Sequence, residues 1–142
     1  MTISTIISTR DGTVHQCACD ATVRDAANLL AEKRIGALPI VRGGEVVGIF
    51  SERDLVYRLH SDGPAILDQP VEQAMTAPPI TVTPDTPVMA ALSLMTRRRI
   101  RHLPVVDGSQ LIGFVSIGDL VKYRIDMIES EAAALRDYIQ SV

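Results

Sequence analysis

Ile35-Gly36-Ala37-Leu38-Pro39-Ile40-Val41 returns as Ile100-Arg101-His102-Leu103-Pro104-Val105-Val106. Gly48-Ile49-Phe50-Ser51-Glu52-Arg53-Asp54-Leu55-Val56 returns as Gly113-Phe114-Val115-Ser116-Ile117-Gly118-Asp119-Leu120-Val121. The offset is 65 residues both times, and 15 of the 39 positions from 20–58 and 85–123 are identical without a gap. A duplication of this quality sets the architecture before any single motif is read. It also locates function. Two copies related by a pseudo-twofold share a cleft, and a polar residue kept in both copies is presented to that cleft twice.

Each copy reads as strand, helix, strand, strand, helix. Val88, Ala91, Leu92 and Met95 fall at i, i+3, i+4 and i+7, one face of a helix. Thr86 and Pro87 supply an N-cap and a proline for its first position. Val23, Ala26, Ala27 and Leu30 repeat the spacing, with Thr22 where the second copy has its proline and a less certain cap. Leu38–Val41 and Glu45–Ile49 flank Gly43-Gly44, which predicts a hairpin. Asp107-Gly108-Ser109 does the same in the second copy. Ser51 and Ser116 are natural N-caps for helices from Glu52 to about Leu59 and from Ile117 onward. His15–Ala18 and Ile80–Thr83 read as the leading strands. The expectation is an α/β (α+β) fold of two pseudo-symmetric β-α-β-β-α repeats packed sheet to sheet.

The copies divide the chain into 1–62 and 71–124, with a linker over 63–70 that carries Gly63-Pro64 and Pro70. Val71-Glu72-Gln73-Ala74-Met75-Thr76 restarts the pattern and resembles Ile3-Ser4-Thr5-Ile6-Ile7-Ser8. The first copy has three extra residues around Arg10-Asp11-Gly12. Residues 125–142 read as a tail helix with Ile128, Leu135, Tyr138 and Ile139 on one stripe. That stripe packs either on its own module or on a second copy.

The 142 residues are 46% hydrophobic and 22% charged with a net charge of −3, which points away from nucleic acid and anionic membranes. No apolar run reaches the length of a membrane span. The first residues lack the basic start and apolar core of a signal peptide, which leads to the expectation of a cytoplasmic protein. Cys17 and Cys19 share one face of a strand and have no matching Cys or His cluster, so they read as small apolar residues rather than metal ligands. A halved repeat of about 60 residues has a marginal core, so the copies are expected to bury their apolar faces against each other.

Gly-h-h-Ser-x-x-Asp, with h apolar, is the motif with legible chemistry. A serine at a helix start sits beside free backbone N–H groups, which suits phosphate. An aspartate three residues on can accept two hydrogen bonds from adjacent hydroxyls, as on a ribose. The same pattern is also a capping box that needs no ligand. Its appearance twice, at one place in two superposable units, favours the ligand reading.

The set Leu-Pro-h-Val…Gly-h-h-Ser-x-x-Asp-Leu, repeated 65 residues apart, resembles a tandem pair of cystathionine β-synthase (CBS) domains, over roughly Ile3 to Arg124. The resemblance implies a Bateman module with two symmetry-related clefts for adenosine-containing ligands: AMP, ADP, ATP, NAD or S-adenosylmethionine. It implies a regulatory, signal-transducing role of the stand-alone type, association into a homodimer, and a downstream effector protein that the sequence does not name. By family analogy one site takes Ser116 and Asp119, with Phe114 nearby and His15, Ile35 and Ala37 flanking the base. The other takes Ser51, Arg53 and Asp54, with Ile49 nearby and Thr76, Ile80, Ile100 and His102 around the base. Arg53 has no counterpart at Gly118 and His102 none at Ala37, so unequal sites are expected. The resemblance implies a basic residue reaching phosphates at the His102 position, and Arg98 and Arg101 are further candidates for an anion. The remaining residues offer no activated nucleophile, metal site or acid–base pair, so a catalyst is not expected. A ligand-free dimerisation module and a nucleotide-acting enzyme are the competing readings.

Overall fold

The computed structural model describes residues 1–10 and 12–141. Asp11, the middle of the extra tripeptide, and Val142, the end of the expected tail helix, lie outside them. The described elements run α1 (Ile3–Ile7), β1 (Cys17–Ala18), α2 (Val23–Lys33), β2 (Ala37–Arg42), β3 (Glu45–Ser51) and α3 (Glu52–Asp62). Two short 3-10 turns follow, Pro64–Asp68 and Val71–Gln73. Then come α4 (Val88–Arg98), β4 (His102–Asp107), β5 (Gln110–Ser116) and α5 (Ile117–Ser141). The strands form one mixed sheet in the order β1-β2-β3-β5-β4. Each repeat contributes a hairpin, and the two halves meet where β3 runs antiparallel to β5 at Glu45 and Gln110. The α+β fold of paired repeats is therefore the observed one.

The hairpins follow their turn chemistry. Gly43 and Gly44 both have positive φ, 59° and 85°, which a two-residue turn of this hand demands and glycine supplies at little cost. Both hairpins carry a register shift at equivalent places, Ile40/Val41 and Val105/Val106. The leading strands are shorter than the alternation predicts. Only Cys17 and Ala18 pair with β2, and the second copy keeps just a parallel bridge from Val82 to Val105. His15 and Ile80 lie outside the ladder because the chain there leaves the sheet edge to line a cleft.

The caps also differ from expectation. Thr22 forms a full capping box: its hydroxyl accepts the Asp25 N–H at 3.1 Å, and Asp25 accepts the Thr22 N–H at 3.4 Å. Thr86 caps nothing. Pro87 takes the N-cap place of α4, and the Thr86 hydroxyl turns back to accept the Thr83 N–H at 3.1 Å. The serine-capped α3 extends to Asp62. In the second copy Ile117 to Ser141 is one continuous helix, because nothing between them breaks it.

Two apolar cores result, and each borrows from the other half. Ile3 and Ile6 of α1 are buried with Val88, Met95, Leu103, Val105 and Leu120 of the second repeat. Val71 and Ala74 are buried with Val23, Leu38, Ile40 and Phe50 of the first. The backbone follows the same exchange. The Ile3 N–H donates to the Thr86 carbonyl at 2.9 Å, and the Val71 N–H donates to the Ala21 carbonyl at 2.7 Å. Cys17 is buried in the first core, where burial, then Asp25 and Asp20, push its thiol up.

The motif glycines explain the exchange. A Cβ on Gly48 would stand 2.4 Å from the Met75 sulfur and 3.0 Å from the Thr76 carbonyl oxygen. A Cβ on Gly113 would stand 2.9 Å from Ile7. Each glycine is where a lead segment crosses a strand of the opposite repeat. Overpacking of this kind typically costs about 1–3 kcal/mol. Gly48→Ala should therefore lower the unfolding free energy from chemical denaturation by that amount. Since Met75 can swing away and the Thr76 carbonyl cannot, Gly48→Ala with Met75→Ala should recover only part of the loss. Full recovery would place the constraint on the side chain alone.

Candidate functional site

Ser51 and Ser116 end β3 and β5, and Asp54 and Asp119 sit in the first turns of α3 and α5. Both serines cap their helices. The Asp54 N–H donates to the Ser51 hydroxyl at 3.2 Å and the Asp119 N–H to the Ser116 hydroxyl at 3.1 Å. In return, one carboxylate oxygen of each aspartate accepts the serine N–H at 2.8 Å. The capping box read from the sequence is thus real in both copies. It does not compete with a ligand role, because it holds each carboxylate rigidly at the mouth of a cleft.

Two clefts open there, with cavity volumes of about 460 Å³ and about 500 Å³. The first is walled by Ser116, Asp119, Phe114, His15, Ile35 and Ala37. The second holds Ser51, Arg53, Asp54, Ile49, Thr76 and Ile80, together with Ile100 and His102. The residues grouped from the sequence for each site thus converge in space. His102 lines both clefts, since it heads β4 at the seam between them. Its ring stacks on Phe114 with centroids 5.4 Å apart and planes 10° from parallel. Burial lowers its pKa, the Asp119 and Glu52 carboxylates pull the other way, and Arg101 lowers it further. The imidazole is therefore largely neutral at neutral pH.

Charge separates the two clefts. Arg53, Arg98, Arg99 and Arg101 line the Asp54 cleft against Glu52 and Asp54. None of those four arginines has an ion pair among the described residues. Arg97, weighed with them in the sequence, is not part of the lining. The Asp119 cleft has Arg10 and Arg34. Arg34 and Arg99 occupy matching C-caps of α2 and α4 with φ of 53° and 54°, a left-handed conformation unusual for a side-chain-bearing residue. Sequence reading passed over Arg34. Its signal was present, since arginine recurs there at the same 65-residue offset.

Arg10 was also passed over as a site residue. Its guanidinium donates at 2.6 Å to the Phe114 carbonyl and pairs at 2.6 Å with the Asp119 carboxylate. In the other cleft Thr76 meets the matching residues. Its hydroxyl donates to Asp54 at 2.9 Å and its backbone N–H to the Ile49 carbonyl at 2.8 Å. Burial raises the Asp119 pKa, but the Ser116 backbone N–H, then Arg10 and the Ser116 hydroxyl, outweigh it and leave the group below the ordinary carboxylate value.

With this geometry in place, comparison with known proteins is informative. A family model of the CBS domain matches residues 7–61 and again 71–126. The chain belongs to the CBS-domain family. The mitochondrial CBS domain-containing protein CBSX3 of Arabidopsis thaliana is 38% identical over 98% of this chain and 72% of its own length. Among solved structures, a CBS-domain protein from Burkholderia ambifaria MC40-6 superposes with a TM-score of 0.82 at 39% identity, covering 89% of this chain and 95% of that one. CBSX2 in complex with AMP is similar at 28% identity and a TM-score of 0.75, over 89% and 97%. A CBS-domain pair in complex with 5′-methylthioadenosine and S-adenosyl-L-methionine is similar at 26% and 0.76, over 87% and 98%. No described helix of this CBS pair is long and apolar enough to cross a membrane.

The lowered pKa of Asp119 carries a sign. A carboxyl group held below its unfolded value, about 4, adds stability that is fully present above that value. That stability is lost as pH falls through the lower folded value. The melting temperature of the CBS pair should therefore fall more steeply below about pH 4 than that of Asp119→Asn. Parallel curves for the two proteins would show that the carboxylate is not linked to folding.

Proposed function

We propose that this CBS pair is a regulatory sensor that binds adenosine-containing ligands, in the class of AMP, ADP, ATP or NAD, in its two clefts without carrying out chemistry on them. The observation that carries the reading is the doubled aspartate. Each stands in a cleft, with its orientation fixed by a serine cap and with arginines nearby. A ribose diol needs one oriented carboxylate, and a phosphate needs cations or helix N–H groups. The clefts supply both at a spacing duplicated by symmetry. The complexes of similar pairs with AMP and with S-adenosylmethionine support the same ligand class. A binding role is favoured over catalysis because both serine hydroxyls are engaged in their caps, and neither has a histidine as hydrogen-bond partner.

The expected test is calorimetry with AMP, ATP and NAD on the unaltered chain and on single aspartate variants. Asp54→Ala and Asp119→Ala should each weaken one class of site by roughly tenfold to a hundredfold, about 1.5–3 kcal/mol. Both variants should stay folded, because a lost cap costs about 1 kcal/mol. Unchanged affinity and stoichiometry in the double variant would leave the capping box as the motif's whole purpose.

The module is further read as a homodimer that relays ligand state to an effector protein. Ile125, Ile128, Leu135, Tyr138 and Ile139 on α5 are exposed, as are Val56 on α3 and Val121 at the matching place on α5. The tail stripe is thus about half exposed or more among the described residues, which favours the second-copy alternative. Light scattering at tens of micromolar should give twice the chain mass. Ile128→Glu with Leu135→Glu should give the single-chain mass with unchanged helicity; a single-chain mass for the unaltered protein sinks the dimer.

A further inference from the structure

The lead segments of the two repeats enter equivalent clefts and meet the matching aspartates with different chemistry, Thr76 at the Asp54 oxygen left free by the cap and Arg10 at the Asp119 oxygen that also accepts the Ser116 N–H. In the Asp54 cleft a neutral hydroxyl, that of Thr76, touches the carboxylate. In the Asp119 cleft the touching group is a cation, the Arg10 guanidinium, 2.6 Å from the carboxylate. Arg10 belongs to the extra residues of the first copy, and it reaches 104 positions along the chain to bind the Phe114 carbonyl as well. We propose that Arg10 is an intramolecular competitor for Asp119, which makes its cleft the more selective of the two. The proposal rests on the ribose role assigned to both aspartates above.

The physical difference is one of exchange. A ribose hydroxyl that replaces the Thr76 hydroxyl at Asp54 swaps one neutral donor for another. A ribose diol that takes both carboxylate oxygens of Asp119 must displace or crowd a charge-assisted contact at Oδ2, which is stronger than a neutral one. The pair is half-exposed, with 34% of the Arg10 side chain and 35% of the Asp119 side chain accessible, so solvent and salt moderate its strength. The competitor is therefore displaceable. It sets a threshold and does not close the cleft. Arg34 lines the same cleft, so displaced Arg10 leaves a cation in place.

Adenosine is the useful probe, because it carries the diol and no charge. In an Asp54→Ala background, which isolates the Asp119 cleft, Arg10→Ala should tighten adenosine binding roughly three- to tenfold by calorimetry. Arg10→Lys, which keeps the charge, should recover much of the threshold. The salt response of the same proteins is a second readout. Raising sodium chloride from about 0.05 M to about 0.5 M should tighten adenosine binding in the Asp54→Ala protein more than in its Arg10→Ala derivative. Weaker binding on loss of Arg10 would make it a ligand contact and overturn the proposal. Unchanged binding, with no difference in salt response, would overturn it equally. If neither adenosine nor AMP binds any of these proteins or the unaltered chain, the ribose reading falls and this inference with it. If the Asp54 cleft of the unaltered chain binds and Arg10 has no effect at the other, only the competitor is lost.

Discussion

The structure depends on two strand glycines, Gly48 and Gly113, over which the opposite repeat's lead segment passes at van der Waals contact. Met75 lies on the first and Ile7 on the second. This contact lets Val71 and Ala74 enter the first core and Ile3 and Ile6 the second. Neither repeat therefore owns a complete core. A half of about 60 residues would bury too little surface to be stable alone. The exchange joins the halves more firmly than the sheet does, since β3 and β5 meet at a single residue pair. Two glycines thus make one folding unit of two marginal ones, and they bring the lead segments to the mouths of the clefts.

The same placement ties stability to the sites. Thr76 follows Met75 directly, so packing on Gly48 delivers its hydroxyl to Asp54 and its backbone to Ile49. Arg10 follows Ile7 by three residues and reaches Asp119 from the matching side. The aspartates face inward for a structural reason as well: each completes its serine's capping box. A cap contributes about 1 kcal/mol, which is a modest reason to hold a carboxylate still. A fixed carboxylate is what diol recognition requires, because no rotamer freedom is lost when the ligand arrives.

Legibility in the sequence followed the range of the interaction. The hairpins, α2, α4 and the serine caps were readable because each is set by neighbours within a few residues. The two site groupings came from the resemblance to CBS pairs, and each group's residues line one cleft. Thr86, expected as a cap, forms none, and Thr22, the less certain candidate, forms a full capping box, since what decides between them is the direction each hydroxyl turns, and Pro87 sends Thr86 back toward Thr83. The leading strands were overestimated because alternation near His15 and Ile80 reflects cleft lining as much as sheet pairing. The core exchange left only a faint trace, the resemblance of Val71–Thr76 to Ile3–Ser8. That resemblance shows a shared role but not which half receives each segment. Arg10 left none, because its partner is 104 residues away and the second copy has no residue to compare.

Those unmatched residues explain how a symmetric scaffold acquires two different sites. Arg53 stands where the other copy has Gly118, and a side chain there would meet only the Ser116 hydroxyl at an ordinary 3.6 Å. Space therefore does not explain the missing cation. His102 stands where the first copy has Ala37, but because it heads β4 at the seam, one substitution alters both clefts at once. Its ring is held on Phe114, beside Asp119, while its other neighbours include Glu52 of the opposite cleft. His102 is thus the side chain whose electrostatic surroundings include carboxylates lining both clefts. Duplication supplies two matching cavities, and the differences at Arg10, Arg53 and His102 give them unequal linings.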